Sequence, residues 1–369
     1  MDKNIDVADL VNQIAEQQKC MHKLLGDRRF DVMSLGQSMR LRRKLESGRF
    51  DKLQHVCVAF NLRHAVPVNP ERHYTHLGAD FLEGDLGALP DNCTYLLLNN
   101  DIGKHLNRFR ALMAARPNCL FVVWDWDSQH WLHMSCHLAA QSDFYAPATS
   151  ENLYTLSNFT PHIVGPIAIG VNQWSRAFIV EHMPLLLEDR SNDAFGPHVR
   201  YPDFERRNRA IATINQKLPG IRFADDSYKK KSDLDNLRDW AGYKTHWIIP
   251  VLGGVPIRVF NCILTGGIAL LPSFARHMPE SLAFDEEPLY YDVLDLVEPE
   301  KLQALAVARF DQEGQVGVVR RVGKALESQH IDTRCEQLLC SVESAIQRLA
   351  GRAMPSERYP MAEAFPGRR

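Results

Sequence analysis

The sequence predicts an α/β protein: two Rossmann-like domains facing a cleft, preceded by an extra helical segment. Three observations carry that expectation. Short runs rich in β-branched and aromatic residues recur from His55 onward. Helix-like stretches separate most of them, and this alternation builds βαβ units around a parallel sheet. The rhythm pauses once, at Met183–Arg207, in a stretch rich in Pro, Asp, Asn and Gly, and then resumes. A length of 369 residues, 45% hydrophobic and 24% charged, suits two domains of ordinary globular composition.

The elements follow in order. Residues 1–52 read as a helical extension. Asp6 can cap a helix carrying Val7, Leu10, Val11 and Ile14 on one face, with Gly26 as its stop. A second helix covers Met33 to Glu46 and carries "RLRRK", Arg40 to Lys44. That run reads either as a solvated face or as a patch for anionic lipid or an anionic acceptor. Residues 53–185 form the first domain, with strands in "HVCVAFNL" (His55–Leu62), "TYLLLNN" (Thr94–Asn100), "CLFVVW" (Cys119–Trp124), "DFYAPA" (Asp143–Ala148) and "HIVGPIAIG" (His162–Gly170). A helix at Gly103–Arg116 lies among them. The inter-domain link falls in Met183–Arg207, and the second domain covers 196–350. Its elements are a helix at Arg206–Lys217, a strand in Gly220–Ala224, a helix at Ser232–Ala241 and a strand in Thr245–Pro250. A helix at Ile257–Leu264, a strand at Ile268–Leu271 and helices over 298–349 complete it. Residues 351–369 read as a loose tail.

Composition excludes some classes. Forty-three basic against 45 acidic residues give a formal net charge of -2, so no nucleic-acid partner is expected. The eight cysteines form no CxxC pair and read as free thiols of a reducing compartment. The start "MDKNIDVADL" lacks the apolar core of a signal peptide. No uncharged apolar run approaches the roughly 20 residues of a membrane span. The expectation is a cytoplasmic protein without a transmembrane segment.

Two stretches carry candidate chemistry. The first is "GGVPIRVFNCILTGGIALLP", Gly253 to Pro272. Its helix starts near Val255-Pro256, where Pro is favoured. A helix N-terminus offers free N–H groups and partial positive charge, which suit a phosphate. Gly253 and Gly254 would let backbone approach that phosphate, and Arg258 could contact a diphosphate bidentately. Asn261, three residues on, could reach a ribose hydroxyl. The competing account is a plain strand-turn-helix-turn-strand unit with Arg258 in a surface ion pair. The second stretch is "VVWDWDSQHWLHMSCH", Val122 to His137. Asp125 and Asp127 sit just past a predicted central strand, where active-site groups gather in such sheets. His130 follows, and Trp124, Trp126 and Trp131 could stack on a sugar ring. A capped loop with buried aromatics is the alternative. His130, His133 and His137 share a helical spacing, but further zinc ligands are missing, so no metal site is expected.

The Gly253–Pro272 segment resembles the nucleotide-sugar segment of GT-B-fold glycosyltransferases, with its pattern R-x-F-E-x-L-x-x-G before a buried strand. Arg258, Phe260, Asn261, Ile263 and Gly266 fall on that pattern's positions. "DFYAPATSENLYTL" followed by "HIVGPIAIGVNQW" is similar to the family's last first-domain unit, with Gly170, Val171 and Asn172 at its Gly-Val-Asp-like turn. "DEEPLYYDVLDLVE", Asp285–Glu298, looks like the acidic-aromatic segment before the closing helices. The likeness spans residues 53–350 loosely. It departs in two ways: Gly253 and Asn261 stand where the family has a Glu-x7-Glu pair, and helical residues precede the first strand.

The resemblance implies a glycosyltransferase moving a sugar from a nucleotide-diphosphate donor to a glycan or lipid-linked acceptor. The context would be cell-surface polysaccharide synthesis, with the enzyme peripheral to the inner membrane face. No cofactor beyond the donor is implied. The donor would meet Arg258, Asn261 and the Thr265, Gly266, Gly267 turn, with His198 and Arg200 near its phosphates. Lys244 and "YKKK" (Tyr228–Lys231) would add positive charge. Asp125, Asp127 or His130 would act as base on the acceptor. Two alternatives are a sugar-nucleotide epimerase or hydrolase on the same scaffold, and a non-enzymatic protein closing on a small anion.

Overall fold

The computed structural model describes residues 30–350 except 129, 225–230, 252–253 and 285, plus residues 11–17, 19, 20 and 23. The expected Asp6 cap, Gly26 stop and 351–369 tail lie outside the described residues.

Strands β1 (His55–Val58), β2 (His73–His76), β3 (Thr94–Leu98), β4 (Leu120–Asp125) and β5 (Phe144–Pro147) form a parallel sheet in the order β2-β1-β3-β4-β5. Strands β6 (Ser191–His198), β7 (Ile221–Phe223), β8 (Tyr243–Trp247), β9 (Ile268–Pro272) and β10 (Leu289–Tyr291) form a second, in the order β10-β9-β8-β6-β7. Counted within its own half, each sheet has the doubly wound order 2-1-3-4-5. Parallel pairing requires crossovers that cover both faces. Hence β3, β4 and β5 are buried along their whole length and read as unbroken apolar runs.

Three segments differ from the sequence reading. Edge strand β2 is mostly exposed and carries no apolar run. Strand β6 begins "SND", polar and largely exposed, so its eight residues sat inside the expected link. The expected strand at His162–Gly170 makes one isolated bridge, Tyr145 to Ile163. There Gly165 has φ 101° and Pro166 has no amide hydrogen to continue a ladder.

The principal helices are α1 (Phe30–Leu45), α2 (Leu106–Ala115), α3 (Leu132–Gln141), α4 (Glu205–Asn215), α5 (Asp233–Ala241), α6 (Ile257–Leu264), α7 (Pro299–Lys324) and α8 (Ile331–Leu349). Ser232 caps α5 by accepting from the Asp235 amide at 3.1 Å. Helix α1 docks on the first domain through buried Leu41, a Gln37 amide bond to Ala139 O at 3.0 Å, and a buried ion pair of Lys44 with Asp143 at 2.6 Å. Arg40, Arg42 and Arg43 of the basic run point to solvent.

Each domain has its own core. Ala306, Phe310, Val318 and Val322 of α7 belong to the second. Helix α8 returns to the first, burying Ile331, Cys335, Leu338, Leu339, Val342 and Ile346 there. Arg72, beside β2, pairs with Glu336 and Glu343 of α8, both at 2.9 Å. Residues 331–349, placed in the second domain by the sequence reading, thus pack with the first.

The chain crosses between domains at Val171 and again at Gln329–Ile331, and the two crossings bond to each other. Val171 N donates to Gln329 O at 2.7 Å, and Ile331 N donates to Val171 O at 2.8 Å. Gly170 has φ 73°, and a Cβ there would collide with Gln329 O. No helix among the described residues is long and apolar enough to cross a membrane.

Gly170→Ala should therefore destabilise the protein by about 2–4 kcal/mol, combining left-handed backbone cost with a backbone clash. Urea unfolding measures it. Unchanged stability would show that the crossings do not need this close approach.

Candidate functional site

The carboxyl ends of both sheets open onto one cleft of about 320 Å³. On the second domain it lies where the strand order reverses, between β6 and β8. His198 ends β6, Val199 and Tyr201 follow it, and Ile249–Val251 follow β8. On the first domain Trp126, Asp127 and His130 follow β4, and Thr149 follows β5. Ligands bind at such reversal points because the connections leave to opposite faces and open a crevice.

Helix α6 starts in this cleft. Gly254, Val255, Pro256, Ile257 and Arg258 line it. Pro256 is the N-cap and supplies no side-chain cap, so the first turn's amides have no side-chain acceptor there. Arg258 donates to Pro197 O and lies over the Trp240 ring, its Cζ 5.4 Å from the centroid. Arg207 of α4 donates from Nε to Ile249 O at 3.0 Å and from Nη1 to Val199 O at 2.8 Å. Those carbonyls, on two residues that also line the cleft, hold its guanidinium in place. His198 is 1% exposed, and neither ring nitrogen has a hydrogen-bond partner among the described residues. Burial, then the Arg258 and Arg207 charges, hold its pKa well below the ordinary histidine value, so the ring is neutral at pH 7.

The opposite wall has different chemistry. The Asp127 amide donates to Asp125 Oδ1 at 3.0 Å, while the Asp127 carboxylate has no partner among the described residues. Asp127 O accepts from His130 N at 2.8 Å, closing the turn that brings His130 forward. The His130 ring lies 5.5 Å from that of Tyr201 and 6.0 Å from that of Phe204, so it touches the second domain. Ser150 N donates to Glu280 Oε1 at 2.6 Å, a further bond across the domains. Asp101 follows β3, at the first sheet's own reversal point. It accepts from Asn61 Nδ2 at 2.7 Å, and burial raises its pKa to about 6.

Of the residues singled out in the sequence, the fold gathers Trp126, Asp127, His130, His198, Gly254 and Arg258 around the cleft. It places the others elsewhere. Asp125 is fully buried beneath the cleft, accepts from the Tyr145 hydroxyl, and has its pKa raised by that burial. Asn261 is 4% exposed and off the cleft. Thr265, Gly266 and Gly267 form the opposite end of α6. Gly267 N donates to Cys262 O and Gly266 N to Ile263 O, both at 2.9 Å, with Gly266 at φ 79°. This is a Schellman C-cap. Lys244 pairs with Asp311 at 2.7 Å near the start of central strand β8, at the amino ends of the strands, opposite the cleft. Arg200 stacks on Phe223, its Cζ 4.0 Å from the ring centroid, outside the lining. Gly253 and most of "YKKK" lie outside the described residues, and Lys231 pairs with Asp239. Trp124 is buried, Trp131 is exposed, and only Trp126 lines the cleft. His133 and His137 are exposed on α3, whereas His130 precedes that helix. Among the described residues no cluster of His, Cys, Asp or Glu is arranged to hold a metal.

The sequence reading missed Arg207, Tyr201 and Thr149. Arg207 stands in a run of similar arginines, and only the docking of α4 selects it. Hollows of about 570 and 580 Å³ flank the first domain near Ser341 and under α1, but neither brings the two domains together. No known protein family matches the chain, and no curated protein does.

The two neighbouring carboxylates should separate cleanly by mutation. Asp125→Ala strands the Tyr145 hydroxyl and the Asp127 amide and should cost about 2–6 kcal/mol, at roughly 1–3 kcal/mol for each unsatisfied group. Asp127→Ala should stay within about 0.5 kcal/mol of the native protein, because the half-buried Asp127 carboxylate has no hydrogen-bond partner to lose among the described residues. Chemical denaturation compares them, and equal losses would reject this division.

Proposed function

We propose that the chain is a GT-B-type glycosyltransferase that moves a sugar from a nucleotide-diphosphate donor to a hydroxyl of a glycan or lipid-linked acceptor. One observation carries the reading: a single interdomain cleft has an anion-attracting wall facing a wall with a carboxylate and an imidazole. The uncapped start of α6, Arg207, Arg258 and His198 suit a diphosphate. Asp127 and His130, opposite, suit an acceptor hydroxyl.

The chemistry follows from that division. As the bond from the sugar's anomeric carbon to the diphosphate breaks, negative charge grows on the leaving group. Two guanidiniums and a helix N-terminus are already oriented there, so little reorganisation is needed. Asp127 or His130 takes the proton of the attacking hydroxyl. Asp125 takes no part directly and fixes the turn that carries Asp127. The Thr265–Gly267 turn and Asn261 contribute no donor contact in this reading, although the family pattern drew attention to both. The reaction would run in the cytoplasm, and the exposed Arg40, Arg42 and Arg43 would favour peripheral contact with an anionic inner membrane face.

A panel of nucleotide sugars, each with and without acceptor, tests the assignment. Transfer that requires acceptor is the expected result. Turnover without acceptor would replace it with the hydrolase or epimerase alternative, and binding without turnover with a non-enzymatic anion binder. Arg258→Ala should weaken nucleoside-diphosphate binding by about 1.5–3 kcal/mol in calorimetry, the scale of a hydrogen bond to a charged group. Unchanged affinity removes Arg258 from the donor site. Asp127→Asn should lower turnover about a hundredfold while donor affinity persists, as loss of a general base does. If Asp127→Asn and His130→Ala both turn over normally, neither residue is the base.

A further inference from the structure

His198 closes β6 at the floor of the cleft, 1% exposed, with both ring nitrogens unpartnered among the described residues. Buried polar groups are normally hydrogen-bonded, and one left unpaired is costly. A ring in that state beside an open cleft is completed by what enters the cleft. The charged groups facing it are Arg258 from α6 and Arg207 from α4, while Asp127 and His130 line the opposite wall and Tyr201 the near one. In the free protein, burial and the two guanidiniums keep the ring uncharged. A neutral imidazole donates from one nitrogen only. An oxyanion seated between Arg207, Arg258 and the start of α6 offsets the guanidinium charges and puts negative charge beside the ring. Both changes favour the imidazolium.

We propose that His198 binds a phosphoryl-type oxyanion by taking up a proton from solvent, so that anion and proton enter the cleft together. No other bond forms or breaks: the ring gains one proton, and both of its nitrogens become donors. The inference rests on the donor-diphosphate reading and deepens it. The leaving diphosphate would face a third cation that the free protein does not present. Linkage fixes the sign. The complex holds the proton more tightly than the free protein, so affinity is highest at low pH and falls as pH rises through the ring's pKa in the complex.

Sulfate is the probe, because it does not titrate across the neutral range and any proton uptake belongs to the protein. Calorimetry on the full chain should show native affinity falling about tenfold or more from about pH 5 to about pH 8, because a proton held tenfold more tightly in the complex changes anion affinity tenfold. Heats measured in buffers of different ionisation enthalpy should report net proton uptake. His198→Gln should bind sulfate with no pH dependence, and His130→Gln should keep the native fall. A flat but measurable native affinity overturns the proposal and leaves the donor-diphosphate reading standing. So does a fall that survives in His198→Gln and disappears in His130→Gln. No sulfate binding at any pH removes both. If His198→Gln fails to fold, NMR of histidine-labelled protein decides. In mildly acidic buffer, sulfate should move one ring to its imidazolium position in the native protein and in His130→Gln alike. If that movement is lost in His130→Gln, the proposal falls.

Discussion

The site depends on two chain crossings that hold each other. Val171 leaves the first domain between the carbonyl of Gln329 and the amide of Ile331, where the chain returns. Around that pair, His330 Nε2 meets Trp174 O at 3.1 Å, and Asp332 accepts from the Val66 amide at 2.8 Å. Trp174 Nε1 donates to Asp233 O at 2.9 Å, tying the crossing to α5. A parallel sheet presents all its carboxyl ends on one side. Two such sheets make one cleft only if they are held with those sides facing, and the crossings supply that constraint. Helix α8 adds to it by burying its apolar face in the core of the domain the chain had left.

Helix α6 shows how one short segment serves two purposes. Its start is uncapped and opens to the cleft, while its end is fixed in protein. Arg190 Nη2 donates to Thr265 O at 2.7 Å, and Arg321 Nε donates to Gly266 O at 2.9 Å. These cations sit at the negative end of the helix dipole. Arg321 is fully buried and is compensated by Glu313, whose pKa is drawn down to about 2: burial opposes the shift, and hydrogen bonds from Arg309 and Arg321 outweigh it. With its C-terminus fixed this way, the free end is held rigidly toward the cleft, as electrostatic preorganisation requires.

Asp125 and Asp127 divide their work by backbone geometry. Asp125 ends β4 in register with Pro147 and is enclosed by the sheet. Asp127 lies two residues on, where the chain has already turned and reaches the cleft. The buried carboxylate holds the turn of the half-buried one through a single amide hydrogen bond, so their surroundings differ although they are two residues apart in the sequence.

The α/β class and most central elements were legible in the amino-acid order, because strands buried on both faces must be continuously apolar. Thr94–Leu98, Leu120–Asp125 and Ile268–Pro272 are such strands. Helix α6 was legible to the residue, since Pro256 and the Thr-Gly-Gly turn mark its two ends. Edge strand β2 and the polar start of β6 were not, because half-exposed strands leave no apolar signature. Which polar residues meet is set by packing instead. Spacing along the chain made Arg258, Asn261 and the glycine turn equal candidates, but a helix has two ends and only one faces the cleft. Arg207 stands among Arg200, Arg206 and Arg209, which look alike in the sequence. What selects it is the docking of α4 beside the end of β6, a contact between elements that no local pattern encodes.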